Sequence, residues 1–247
     1  IGMKQAIKSG LKTGIGLVGI CKSGHYGLSG YYAEKAVKKN LIVFCYTNAP
    51  PAIAPHGAKK TLFGTNPICF GSPSGTNIPF ILDTSVSVLN RGKIRLAAKI
   101  GKKIPSGVAL DKFGKPTIDP IKALSGVQLP IGGYRGSGLA WMVDILSGVM
   151  TGGNHGGKVK DPFDDFSGPQ NIGHLFIVIK KNIFVNNFDI KMKKNIARIK
   201  RLPRTNKKKE ILFPGQNRYL KMKRNNKKNF IKISKKIKSE LYKLLNE

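Results

Sequence analysis

The chain has 247 residues, 40% of them apolar, with three cysteines and a single tryptophan. That length and composition fit a folded protein with a real core, in one large domain or two modest ones, and no apolar run reaches the roughly 18–20 residues a membrane span needs. Forty-four Lys and Arg against 12 Asp and Glu give a net charge of +32, which by itself fits a polyanion partner, because cations that neutralise phosphates release counterions. The excess gathers after Lys180, in KKNIFVNNFDIKMKKNIARIKRLPRTNKKKE and KMKRNNKKNFIKISKKIKSE. Lys, Asn and Ile rise together there, as an A/T-rich coding bias would produce, so compositional drift is the first reading and anion binding the second. Cys21, Cys45 and Cys69 are odd in number, sit in apolar contexts and form no C-x-x-C spacing. They read as reduced, buried thiols of a cytoplasmic protein. The chain opens on Ile1 inside a helical pattern with no charged-then-apolar leader, as an N-terminally incomplete sequence would.

In chain order, residues 3–13 (MKQAIKSGLKT) have amphipathic helical spacing, and Gly14 suits the stop. Residues 15–20 are short, apolar and branched, a buried strand. Residues 29–39 (SGYYAEKAVKK) read as a helix with a serine start, and 41–47 (LIVFCYT) as a second buried strand. This alternation predicts an α/β protein. From Asn48 to Gly75 the chain is dominated by Pro, Gly, Asn and Thr, the look of functional loops carried by a rigid scaffold. Residues 79–85 (PFILDTS) resume as a strand, 86–101 as a helix with a glycine stop, and 109–119 as a hairpin-like excursion. A glycine loop at 129–138 (LPIGGYRGSG) leads into the apolar helix LAWMVDILSGVM, and 173–181 forms a further strand before a helical, basic remainder. The implied division is 1–45, a helix and strand region leading to a histidine; 46–180, an α/β unit; and 181–247, a basic helical region returning to the first.

Residues 14–19 (GIGLVG) match G-x-G-x-x-G, but in reversed order. The dinucleotide fingerprint needs glycines after a strand and before a helix, with an acidic residue about 20 positions on. Here a helix precedes the glycines, and the second strand ends at Thr47 before Asn48, so the match reads as a helix stop plus a small-residue strand. His25, in SGHYG just past that strand, stands where loops present side chains to a site. Its type suits proton transfer near neutral pH, and a satisfied loop histidine is the alternative. His56, His155 and His174 offer no metal spacing with it, so no metal site is expected. Asp83 ends the strand PFILD; it suits a ribose hydroxyl or the start of the next helix. GGYRGSG, with Arg135, reads as an anion cradle or a plain flexible turn.

These pieces in this order resemble the type-2 malate/L-lactate dehydrogenase family, which includes ureidoglycolate dehydrogenase, sulfolactate dehydrogenase and diketogulonate reductase. The resemblance covers nearly the whole chain. It rests on Ser23-Gly-His-Tyr-Gly27, Gly30-Tyr-Tyr-Ala33, Thr47-Asn-Ala-Pro-Pro51, Gly64-Thr-Asn-Pro67, Leu82-Asp-Thr-Ser85, Arg91-Gly-Lys-Ile94, Gly132-Gly-Tyr-Arg-Gly136, Gly173-His-Leu-Phe176 and Pro214-Gly-Gln216. It implies an α/β but non-Rossmann NAD(P)-binding sheet packed with a mainly helical domain, and hydride transfer between NAD or NADP and a small 2-hydroxy or 2-oxo acid. It also implies a homodimer. On its pattern His25 is the catalytic acid/base, and Asn48, Ala49, Asp83, Thr84, Ser85, Arg135, Gly215 and Gln216 are cofactor contacts. Relatives carry lysine where this chain has Arg135. The family's N-terminal helical region, with the arginine and polar groups that hold the substrate carboxylate, has no counterpart here. The alternatives are therefore a truncated, inactive relative and, more remotely, a basic nucleic-acid-binding protein.

Overall fold

The computed structural model describes residues 1–226, 233 and 235–245, so the second basic tract lies partly outside the described residues. Helix α1 (Gly2–Thr13) ends at Gly14, whose φ of 91° is left-handed and lets its N–H reach the Gly10 carbonyl. Strand β1 (Ile15–Ser23) follows directly. The motif glycines therefore cap a helix and line a strand, and no strand–glycine–helix turn forms. Gly16 has a packing reason: a Cβ there would meet the Ala6 carbonyl oxygen at 2.2 Å and the Gly10 nitrogen at 2.8 Å. The helix backbone rests on the strand backbone.

The main sheet combines β1 with β2 (Leu41–Thr47), β3 (Ile68–Ser72), β4 (Phe80–Thr84) and β7 (Ile172–Lys180), in the order β1-β7-β2-β3-β4. Every pairing in it is antiparallel. Helix α2 (Ser29–Val37) and α1 supply Met3, Ala6, Ala33, Ala36 and Val37 to a core completed by Leu41, Val43, Cys45, Cys69, Ile81, Phe176 and Val178. Leu41, Val43 and Val178 are wholly enclosed, each worth roughly 1.5–3 kcal/mol of burial. The long C-terminal strand β7 sits between β1 and β2, so residues some 150 positions apart share one ladder.

Several expectations change in the fold. β1 is an edge strand, with Ile15, Leu17 and Cys21 exposed, so only alternate positions face the core and Cys21 is not a buried thiol. The proline-rich stretch contains β3, ICFGS, whose five residues are too short and glycine-bearing to stand out by periodicity. The same stretch is braced by an Ile53–Phe63 bridge. The helix expected over 86–101 is α3 (Arg91–Lys99), because the Asn90 side chain accepts the Lys93 N–H and caps it. Ser29 does not cap α2; its hydroxyl lies 2.7 Å from that of Tyr26. A smaller cluster of Ile94, Ile104, Val108, Ala109 and Ala123 joins α3, α4 (Pro120–Leu124) and the two-stranded pair β5 (Ala109–Leu110) and β6 (Val127–Gln128).

Helix α5 (Tyr134–Asp144) runs into a π-helical turn, Ile145–Val149. The turn packs so closely on β7 that a Cβ on Gly173 would lie 1.4 Å from the Ser147 carbonyl oxygen. Helices α6 (Phe188–Lys200), α7 (Gln216–Asn226) and α8 (Lys235–Leu245) complete the chain. No helix among the described residues is long and apolar enough to cross a membrane.

Candidate functional site

The β1–β7 ladder becomes irregular between Ile20 and Ser23, and the chain leaves the sheet there as the loop carrying His25. His25 is exposed. Its Nδ1 accepts the Gly27 N–H at 3.2 Å, and its own backbone N–H donates to Gln170 Oε1 at 3.3 Å. Among the described residues no hydrogen bond engages its Nε2. Held at one ring nitrogen and open at the other, the imidazole suits proton exchange with a bound molecule.

The ring borders a cavity of about 590 Å³, within the range of small-ligand sites. Asn48, Ala49 and Pro50 form one wall with Thr65 and Pro67; the α3 residues Arg91, Arg95 and Lys99 form another, with Asp161 beside them. The first wall is fixed from behind by buried amides. Asn48 Nδ2 donates to the Asn154 carbonyl at 2.5 Å, and its Oδ1 accepts the Gly173 N–H at 3.1 Å. The Ala49 N–H donates to Asn66 Oδ1 at 3.1 Å, while Asn66 Nδ2 donates to the Ala140 carbonyl at 2.7 Å. Such satisfied buried groups specify a single loop conformation.

Beneath the loops lies a second histidine. His174 is buried on β7, with Nδ1 2.7 Å from the Thr47 hydroxyl and its ring stacked on Tyr26 at 4.3 Å. Its Nε2 is directed toward the Gly24 carbonyl but falls short of hydrogen-bond geometry. Burial above all, and the charge of His25 in addition, pull its pKa down to about 4, against the raising influence of Gly24. His174 is thus a neutral brace near neutral pH. Burial also pushes the Tyr26 phenol far above its ordinary value, with Ser29 opposing the shift.

Of the residues expected at the site, His25, Asn48 and Ala49 come together at this cavity. The other six do not line it. Asp83 Oδ2 accepts the Gly30 N–H at 2.7 Å, in the first turn of α2, and lies 4.0 Å from Arg218 Nη1 on α7. Burial raises the Asp83 pKa, partly offset by the Gly30 bond and Arg218. The Thr84 hydroxyl donates to the Ser85 carbonyl at 3.0 Å, and the Ser85 and Ser87 hydroxyls are 3.1 Å apart. Gly215, with φ of 87°, lies against the Ile81 backbone of β4, and buried Gln216 accepts the Phe213 N–H at 3.4 Å. Asp83, Gly215 and Gln216 therefore belong to the outer edge of the sheet. Arg135 stands exposed in the first turn of α5, its guanidinium 5.5 Å from the Tyr134 ring centre.

Thr65, Pro67, Arg91, Arg95 and Asp161 line the cavity without having been assigned to it. Gly64-Thr-Asn-Pro67 and Arg91-Gly-Lys-Ile94 stood among the motifs, and Arg91, Arg95 and Lys99 recur every four residues, which places them on one helix face. Asp161, in an acidic loop far along the chain, carried no such signal.

The sequence profile described as malate/L-lactate dehydrogenase matches residues 1–242. The chain belongs to the malate/L-lactate dehydrogenase family. Among its relatives in this family, a malate/(S)-sulfolactate dehydrogenase of Methanothermus fervidus is 38% identical over 100% of this chain and 71% of its own length. A (2R)-3-sulfolactate dehydrogenase (NADP(+)) of Chromohalobacter salexigens is 36% identical over 76% of this chain and 56% of its own length. The solved sulfolactate dehydrogenase of Methanocaldococcus jannaschii superposes with a TM-score of 0.85 at 37% identity, over 99% of this chain and 70% of that one. The chain thus spans between about half and seven tenths of the length of these relatives. The α/β expectation and the family resemblance agree with these findings.

Proposed function

We propose that this chain is the catalytic and cofactor-binding portion of an NAD(P)-dependent oxidoreductase acting on a small 2-hydroxy or 2-oxo acid. The observation that carries the reading is the convergence of an exposed, half-tethered His25 with the Asn48–Ala49–Pro50 wall in one cavity, in a chain of this family. NAD or NADP, when bound, supplies or accepts the hydride. The residues present fit its nicotinamide end: a stiff, proline-bearing wall with satisfied amides, beside a histidine whose Nε2 is open. Asn48 and Ala49 would hold that end against the cavity. The expected contacts at Asp83, Thr84, Ser85, Arg135, Gly215 and Gln216 would then take the remainder along the sheet edge and the α5 terminus. The fold would bind it without a Rossmann turn, in keeping with Gly14 closing a helix.

In oxidation His25 takes the hydroxyl proton of the 2-hydroxy acid; in reduction it returns a proton to the oxygen. His174 stays neutral below it, so that no second positive charge opposes protonation of His25. A homodimer in the cytoplasm belongs to the same reading, and the exposed apolar residues Trp141, Ile145 and Val149 along α5 and its π turn support the dimer.

The test uses nicotinamide fluorescence of NADH and NADPH with the purified chain, followed by addition of oxaloacetate, pyruvate or sulfopyruvate. Saturable binding and oxidation are expected, and His25→Ala should lower turnover by about 10²- to 10⁴-fold with cofactor affinity kept. Wild-type turnover in folded His25→Ala would remove His25 from the chemistry. Binding without turnover would favour the inactive-relative reading.

A further inference from the structure

The cavity wall facing away from the nicotinamide side is built by one helix. Asn90, Arg91, Gly92, Arg95, Leu96 and Lys99 all border the cavity, so α3 turns its N-terminus and a cationic stripe toward it. The two arginines are held as a unit. Arg95 Nη2 donates to both carboxylate oxygens of Asp161, at 2.9 and 2.7 Å, and Arg91 Nη2 lies 3.3 Å from the same carboxylate. Arg91 Nη1 donates to the Pro51 carbonyl at 3.0 Å, and Arg95 also lies 4.1 Å from the Phe163 ring centre. Asp164 adds a second, more exposed carboxylate on Arg95, and Lys99 pairs with Glu240.

Arg91 is incompletely satisfied. Its Nε is buried and has no hydrogen-bond partner among the described residues, and burial is the main cause lowering its pKa. A guanidinium partly removed from water with a spare donor is costly unless an anion completes it. Arg91 and Arg95 share the single Asp161 carboxylate on the cavity wall, so positive charge remains there. The Asp161 and Pro51 contacts also fix the guanidinium planes, the preorganisation that planar recognition of a carboxylate or sulfonate needs.

We propose that Arg91, supported by Arg95 on the same α3 face, is a specificity-determining anion subsite for the second acidic group of the substrate. It would select 2-hydroxy and 2-oxo acids that carry a carboxylate or sulfonate two bonds from the reacting carbon over monoanionic acids such as lactate. The inference rests on the dehydrogenase reading for the position of the reacting carbon beside His25. The cavity, at about 590 Å³, has room for a four-carbon acid next to a nicotinamide ring.

The test is calorimetric binding of L-malate, sulfolactate and L-lactate to the full chain at fixed ionic strength, with NAD⁺ present, for wild type, Arg91→Met and Arg91→Lys. Wild type should bind the two dianions roughly tenfold or more tightly than lactate, the scale of one charge-assisted contact. Arg91→Met should bring that ratio close to one with lactate affinity nearly unchanged, and Arg91→Lys should keep part of it. If Arg91→Met fails to fold, the reduced ratio in Arg91→Lys carries the test. A wild type that binds malate and lactate equally, or a ratio that survives in both variants, overturns the subsite and leaves the dehydrogenase reading standing. Loss of NADH and NADPH affinity with an unchanged acid ratio would mean that Arg91 holds a cofactor phosphate, which also overturns it. Failure of wild type to bind either acids or nucleotides would bring down both readings.

Discussion

The His25 cavity and the outer edge of β4 are assembled from the same motif types, short polar runs following strands, and each engages them differently. At the cavity the backbone-facing work is done by buried amides, Asn48 and Asn66, and by His174, which leaves His25 open at Nε2. At the β4 edge Asp83 is itself taken up by the fold, closing the first turn of α2 and facing Arg218. A carboxylate committed to a helix N-terminus has less to offer a ligand than one free at both oxygens. The contrast shows that a strand-end residue becomes available only where other buried groups satisfy the backbone around it.

The strongest way to break the cavity side is Gly173→Ala. A Cβ at 1.4 Å from the Ser147 carbonyl oxygen and 2.5 Å from Thr151 Oγ1 must displace the π turn or β7. A loss of about 4 kcal/mol or more, or no cooperative thermal transition, is expected; a near-native melting temperature would show that the turn yields easily. His174→Asn sharpens the role of the brace. In the native protein this ring titrates near 4, well below the unfolded value of about 6.5, so the unfolded state binds a proton first. Stability is therefore lost as pH falls from about 6.5 to 4, by at most about 3 kcal/mol, and is unaffected by this group above that window. Urea melts at pH 7 and pH 4.5 should differ less for His174→Asn than for wild type, and an equal difference would place the titration elsewhere. Asp83→Ala tests the edge: loss of the α2 cap should lower stability by about 1–2 kcal/mol. Asp83→Asn, which keeps an acceptor oxygen, should recover most of it. If NADH affinity falls in Asp83→Asn while its stability does not, the carboxylate also serves the cofactor.

Much of this contrast was written locally. The stop at Gly14, the alternation of LIVFCYT, the strand end at Asp83 and the loop position of His25 are all readable by periodicity and turn chemistry, because each depends on neighbours within a few residues. β3 was missed since five residues with an internal glycine give too short a pattern, and the start of α3 shifted because Asn90 was not read as its cap. The site was half legible. Motifs marked His25 and Asn48–Ala49, whereas Arg91 and Arg95 stood in view as a helical stripe with nothing to say which way it faced.

The sequence by itself determined the α/β character, the false dinucleotide turn and the loop that carries His25, since helix stops, strand periods and glycine placement are short-range properties. Tertiary structure alone decided that β7 lies between β1 and β2, and that His174 braces the loop before His25 from 149 residues away. It also decided that Asp161 joins Arg91 and Arg95 at the cavity and that Asp83 closes α2. Each of these needs a charge, a donor or a packed face to meet a partner far along the chain. Such meetings are set by which surfaces can be buried together, and no local pattern encodes them.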